Sequence, residues 1–397
     1  MHGGVLSIRV PPGWTRPQHR TARRPGYVSA GGGSLRIAGR TIVLRHLDLC
    51  GGCSVVVEFA DARAPAAGRS VFLARSALTG DGPRAALAIQ PGVTLTGPAG
   101  AAHRTGAAAV PLGDYAGSVD PSGIAAFGSA TGTHPTLATD YLDWDGSWAA
   151  MDSASGMGGW AGTGYRLVLA VPMIPGSSGA TLAAGATGAY DAYFATLAQN
   201  LVKEGVGNAI VRLGWEFNGT WYPWSVASNT DAANFAAYWR QIVTTMRGVA
   251  GQSFGFLWNP NLGGSSSWDL EDAYPGNAYV DYIGSDTYDE YWGSPMTPAN
   301  AWANTLGQTW GLDWVASFAA SEGKPIAIPE WSVCIRSDGH GMGDDPYFVN
   351  EFSAWIASHD VAFTDIFAFN DTAGGQDNDI TDGNFPNALA AFRTDFG

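Results

Sequence analysis

The run NAIVRLGWEFNG, residues 208–219, decides the fold. It is a short apolar stretch that ends in a polar and aromatic cluster. Before it AYDAYFATLAQNLVKEG (189–205), and after it AANFAAYWRQIVTTMRGVAG (232–251), space their apolar residues at helical intervals and close on glycine, the residue that helix C-termini favour. The strand itself shows no polar–apolar alternation, so both of its faces are expected to be covered, as in a parallel sheet flanked by helices.

The same unit recurs in both directions. Strand candidates are AAVPLGDYAG (108–117), ATDYLDW (138–144), RLVLAVPMIP (166–175), FGFLWNP (254–260), VDYIGSDTY (280–288), KPIAIPEWSV (324–333) and FTDIFAFND (363–371), which with 208–219 makes eight. Further helical stretches are NTLGQTWGLDWVASFAASEG (304–323), DDPYFVNEFSAWIASH (344–359) and NALAAFRTDFG (387–397). Alternating strands and helices predict an α/β fold, a (β/α)8 TIM barrel over residues 106–397, whose chemistry is done at the C-terminal ends of the strands.

Residues 1–105 read differently. LRIAGRTIVLRHLDL, SVVVEFA, SVFLARSAL and LAIQPGVTLTG are short β-rich runs broken by Gly and Pro, which predicts a small N-terminal β-rich domain of sandwich or short solenoid type. Charge marks the same boundary. The head holds 13 arginines and 4 acids of the chain's 21 basic and 35 acidic residues, leaving 8 and 31 for the barrel. Its arginines are scattered along apparent strands, as on a solvated surface. The acidic barrel lacks the Lys and Arg that phosphate recognition requires, so nucleic acid is not an expected partner and a neutral substrate is.

No stretch approaches the roughly 18 apolar residues of a membrane span, and the chain is expected to act as a monomer. MHGGVLSIRVPPGW at the start has no basic segment followed by an apolar one, so no signal peptide is read in the chain as given. Cys50 and Cys53 form one C-G-G-C pair, read as a local disulfide or two free thiols rather than a metal site, and Cys334 as a small apolar filler. QDNDITDGN (376–384) lacks EF-hand spacing and reads as a solvated loop, while His134 and His340 show no ligand spacing. No metal or cofactor is expected.

Cleaving a glycosidic bond needs one carboxyl to protonate the leaving oxygen and a second to attack or to activate water. Glu216 and Glu330 are the glutamates at the C-terminal ends of predicted barrel strands, the fourth and the seventh. Those strands face each other across the barrel mouth. A separation of about 5–5.5 Å goes with a covalent intermediate and retention, and about 6.5–9.5 Å with inversion.

Residues 211–224, VRLGWEFNGTWYPW, resemble the acid/base segment of glycoside hydrolase family 26, which includes endo-β-1,4-mannanases, mixed-linkage glucanases and β-1,3-xylanases. The likeness rests on Arg212, Asn218, Gly219, Trp221, Tyr222 and Trp224, and extends to Trp258 and Asn259 in LWNPN, Asp286 and Tyr288 in IGSDTY, and Glu330 in IPEW. It covers roughly residues 107–397 and none of the head. The resemblance implies a retaining mechanism with Glu216 as acid/base and Glu330 as nucleophile, and implies that Tyr288 hydrogen-bonds Glu330. Two positions depart from the family pattern. Trp215 stands where members usually carry His, and Phe369, Asn370 and Asp371 stand where Trp is usual at the eighth strand end. Both lie close to the sugar being cleaved, so the substrate is less secure than the reaction type.

The chain holds 16 Trp and 14 Tyr. Sugar rings stack on indole, which makes Trp221, Trp224, Trp258, Trp292 and Trp331 candidate platforms, about half of them expected to be core. Arg212, Trp215, Asn218, Asn259, Asp286, Tyr288 and Phe369 complete the expected substrate site; Arg212 equally fits an ion pair within the barrel. The expected activity is endo-hydrolysis of β-linked polysaccharide or oligosaccharide, β-1,4-mannan first, with β-1,3/1,4-glucan or xylan as alternatives. A barrel that binds polysaccharide without cleaving it is the reading from another class, and the presence of both carboxylates weighs against it.

Overall fold

A computed structural model describes residues 3–10, 14–20, 26–38, 40–48, 55–60, 68–79, 85–86, 92–95, 110–264, 268–371 and 374–397. Cys50 and Cys53 lie outside the described residues. By contacts the chain divides into two units, one of residues 1–102, 263–269 and 306–321, the other of residues 103–262, 270–305 and 322–397.

The larger unit carries eight parallel strands: β1 (Leu112–Asp114), β2 (Leu137–Tyr141), β3 (Arg166–Val171), β4 (Ile210–Leu213), β5 (Gly255–Trp258), β6 (Tyr282–Gly284), β7 (Ile326–Ser332) and β8 (Val361–Ile366). Each pairs with the next in sequence, and β8 pairs back onto β1, Leu112 opposite Thr364, so the sheet closes into a barrel with no edge. The strands are buried along almost their whole length, as the unbroken apolar runs required. Leu137, Val168, Ile210, Leu257, Ala327 and Phe363, from six different strands, form one continuous core cluster.

Strand alternation then places the functional side chains. Ile210 belongs to the core cluster, and Arg212, two residues on, shares its face and points into the barrel. Leu257 on β5 and Asn259 just past its end repeat this, Asn259 meeting the Arg212 guanidinium. On β7 alternation is broken, because the register against β8 shifts between Ile328 and Trp331. Ile328 faces Thr364 and Trp331 faces Ile366, one residue more on β7 than on its partner. The bulge turns Glu330 inward to meet side chains of β2 and β4, while Trp331 faces the helices Pro346–Ser358 and Pro386–Phe396.

The helix Asn229–Arg247 shows why the surrounding layer forms. Ser228 accepts a hydrogen bond from the Asp231 backbone N–H and caps its start, Asp231 sits in the first turn and Arg247 in the last, matching the helix dipole. Phe235, Trp239, Ile242, Val243 and Met246 form its buried stripe. Between β5 and β6 the described residues contain one turn of 3-10 helix, Leu270–Ala273, in place of a full helix.

The smaller unit contains an antiparallel sheet in the order Ser34–Ala38, Thr41–Leu47, Gly4–Arg9, Leu73–Ala77, Ala85–Ala86, with two separate strand pairs, Tyr27–Ala30 with Val57–Ala60 and Gly68–Val71 with Gly92–Leu95. Val10, Val28 and Ile42 form its core, with Trp14, Phe59 and Phe72 packed against them. Arg75 pairs with Asp269 within this unit.

Candidate active site

At the C-terminal ends of the barrel strands, Arg212 is the hub. It is wholly excluded from solvent, donates to Asn259 Oδ1 and Asp286 Oδ2, and donates from Nη1 to Glu330 Oε2 at 2.7 Å and to Tyr141 Oη at 3.2 Å. Burial works against its charge, and Asp286 and Glu330 beside it more than reverse that, so the guanidinium stays protonated.

Glu330 is gripped on both oxygens. Tyr141 Oη donates to Oε2 at 2.6 Å beside Arg212, and Tyr288 Oη donates to Oε1. Burial, then the Glu330 charge, pushes both phenols well above their ordinary range, so they remain donors.

Glu216 has the opposite surroundings. Its single side-chain hydrogen bond among those described comes from Trp221 Nε1 at 2.9 Å. Burial, reinforced by the negative charge of Glu330, raises its carboxyl from 4.5 to about 8, although Arg212 and the indole bond pull it down. Its backbone is unusual too. With φ 50° it lies in the left-handed region that non-glycine residues rarely occupy, and its N–H donates to Asn259 O at 2.8 Å. Gly214, φ 53°, turns the chain just before it, and a Cβ there would sit 2.5 Å from Met173 Sδ.

One oxygen each from Glu216, Asp286 and Glu330 lie within 4.8 Å of one another. This is the one grouping of acidic, His or Cys side chains among the described residues that converges closely enough for a metal ion, and Arg212, paired to Asp286 and Glu330, already supplies positive charge there. The nearest oxygens of Glu216 and Glu330 are thus within 4.8 Å, close enough for both carboxyls to reach one sugar. A carboxyl raised to about 8, facing a second one held by a guanidinium and two phenols, can give a proton on one side of a bond while the other attacks from the opposite side.

The remaining expected site residues divide by burial. Asn259 and Asp286 are buried partners of Arg212. Asn218 ties two loops together, donating to Asn261 O at 2.8 Å and accepting from Asn261 N at 2.8 Å. Phe369 is half-buried against Tyr115. Trp221 is 51% exposed and Trp292 60%, the latter stacked on His340.

Trp224, Trp258 and Trp331 are placed otherwise than as open platforms. All three are fully buried. Trp224, on the loop after β4, packs on Tyr222 and Trp215 and donates from Nε1 to Trp215 O at 2.8 Å, while alternation turns Trp258 onto Phe217 and Tyr274 and the bulge turns Trp331 onto the helix phenylalanines. Trp215 is also buried, its Nε1 donating to Tyr222 Oη at 2.9 Å, so it backs the site from behind its lining. In the acidic loop, Asn378 is buried and donates to Val333 O at 2.9 Å, while Asn384 bonds Asp377 and Asp382 within the loop itself.

Sequence reasoning missed Tyr141 and Trp144. Tyr141 ends β2, the position where barrel strands deliver their chemistry, so its place in ATDYLDW was a usable signal. Trp144, 39% exposed and edge-on to Tyr222, follows in the same loop.

The fold is a closed parallel barrel with two facing carboxyls in unlike surroundings at its mouth. Residues 186–337, the stretch that holds both glutamates, match the family model of glycosyl hydrolase family 26. The chain is 28% identical over 169 residues to a mannan endo-1,4-beta-mannosidase of Bifidobacterium adolescentis, covering 41% of this chain and 16% of that protein. It is 32% identical over 153 residues to endoglucanase H of Acetivibrio thermocellus, covering 36% and 16%. The matched region thus spans about a sixth of either relative. Among solved structures, a modular endo-β-1,4-mannanase from Cellulomonas fimi superposes with a TM-score of 0.54 at 18% identity over 73% of this chain and 70% of that one, a likeness of fold. Among the described residues no helix is long and apolar enough to cross a membrane.

Proposed function

We propose that this chain is a retaining, endo-acting glycoside hydrolase of β-linked polysaccharide, with residues 106–397 as its catalytic domain and β-1,4-mannan as its first substrate. The observation that carries the reading is the pair Glu216 and Glu330, oxygens within 4.8 Å, one carboxyl raised to about 8 and the other held by two phenols and a guanidinium. Glu216, still protonated near neutral pH, gives its proton to the glycosidic oxygen as that bond breaks. Glu330 attacks the anomeric carbon from the other side. Water, deprotonated by Glu216, then releases the sugar with its configuration retained.

Trp144, Trp221 and Trp292, exposed on the loops after β2, β4 and β6, are the surfaces on which sugar rings would stack. Mannan is supported by the name of the Bifidobacterium relative, and β-glucan is kept as a second reading by endoglucanase H, to which the identity is slightly higher. On this reading the enzyme acts as a monomer and has no nucleic-acid partner. The test is release of new reducing ends from a panel of mannans, β-glucans, xylans and actinobacterial wall polysaccharides. Hydrolysis of one class that disappears in Glu216→Gln and Glu330→Gln supports the proposal, and an inert wild-type protein overturns it.

A further inference from the structure

The three donors on Glu330 are unevenly shared. A carboxylate oxygen offers about two lone-pair sites in the plane of the group. Tyr141 Oη at 2.6 Å and Arg212 Nη1 at 2.7 Å together occupy those of Oε2, whereas among the described residues Oε1 takes Tyr288 alone. Tyr141 is also packed on several sides. Its ring is held edge-on by Tyr115 at 5.0 Å and by Trp215 at 5.7 Å, and the Arg212 guanidinium lies 5.7 Å from its centre.

From this geometry we infer that Tyr141 is a positioning residue for the reaction: with Arg212 it saturates Oε2, so that Glu330 attacks through Oε1. The inference rests on the hydrolase reading and adds an atom-level assignment to it. In the step, a lone pair on Oε1 forms the bond to the anomeric carbon, and the glycosidic bond breaks with its electron pair passing to the leaving oxygen, which takes the Glu216 proton. Oε2 becomes the ester carbonyl oxygen, still accepting from Tyr141 and Arg212. The departure of Trp215 from the family's usual His belongs to the same arrangement, since the indole packs against Tyr141 while its N–H is spent on Tyr222.

The experiment traps the intermediate. The wild-type protein is incubated with 2-deoxy-2-fluoro-β-mannobiosyl, cellobiosyl and xylobiosyl fluorides, where the same bond forms and fluoride leaves with the electron pair, and the adduct is crystallised. The expected result is a sugar on the oxygen beside Tyr288, with Tyr141 and Arg212 on the other. In parallel, Tyr141→Phe keeps the ring and removes only the hydroxyl. It is expected to slow the bond-forming rate constant of inactivation about 10–100-fold, while the dissociation constant of the fluoride and the melting temperature stay near wild type. A sugar on the oxygen beside Tyr141, or a Tyr141→Phe rate equal to wild type, overturns the assignment while leaving the hydrolase reading intact. If no fluoride forms an adduct and no polysaccharide in the panel is cleaved, both fall together.

Discussion

Trp221 Nε1 donates to Glu216 Oε2 across 2.9 Å from an indole that is half exposed to solvent, so one side chain both tunes the proposed acid and offers a face to substrate. The hydrogen bond favours the ionised carboxylate and therefore lowers a pKa that burial and Glu330 have raised. Trp221→Phe removes the bond and keeps a ring. The alkaline limb of kcat/KM, expected near pH 8 in the wild type, should move to higher pH in this variant. A pH series on the hydrolysed glycan checks it, and a limb that moves down or stays in place counts against the account.

Glu216 also links activity to stability. Its carboxyl is raised from 4.5 to about 8 on folding, so between those values the folded protein holds a proton the unfolded chain has released. Its stabilising contribution is complete below about pH 4.5 and is lost as pH rises towards about 8. Glu216→Gln carries no such proton. Its melting temperature relative to wild type should therefore rise across that window and level off above it, while kcat/KM on polysaccharide falls about 10²–10⁴-fold. Thermal scans from pH 4 to 9 test the sign, and a variant whose melting temperature falls relative to wild type with rising pH would be the wrong result.

Arg212 is wholly buried and answers Asp286 and Glu330 at once. Removing it leaves two acids without a counter-charge inside the barrel, a loss of about 3–5 kcal/mol for Arg212→Ala. Arg212→Lys retains the charge but cannot present several donors in a fork to Asn259, Asp286, Glu330 and Tyr141 together, so it should recover only part of that loss. Urea denaturation of the two variants makes the comparison; a fully stable lysine variant would show that the fork geometry is unimportant.

Gly214→Ala tests how the acid is aimed. The residue has φ 53°, and a methyl group would meet Met173 Sδ at 2.5 Å. Strain from the left-handed backbone and the crowding against Met173 should cost about 1–3 kcal/mol and displace Glu216, two residues on. A lower melting temperature together with reduced kcat is expected, and a variant equal to wild type in both would contradict the role given to this turn.

The barrel was legible because its strands have no polar side to confuse the pattern, and the two glutamates because each stands at the end of such a strand. What stayed hidden was direction. Trp258 and Trp331 look like site residues in sequence, since each adjoins one, but alternation on β5 and the extra residue on β7 turn them into the helix layer. A bulge leaves no mark in IPEW that a linear reading could use. Tyr141 was overlooked for a related reason: its partners Arg212 and Glu330 are 71 and 189 residues away in sequence, and only closure of the ring brings them together. Trp215 could be recognised as unusual from sequence, yet its burial behind Tyr141 and Tyr222 emerges only from packing.

The most direct measurement is the anomeric configuration of the first product, followed by proton NMR within minutes of adding enzyme to the oligosaccharide it cleaves. Attack by Glu330 and then by water inverts the carbon twice, so the β-anomer should accumulate first and drift to the equilibrium mixture afterwards. An initial α-anomer would mean that water attacks directly, and would contradict the covalent role assigned to Glu330.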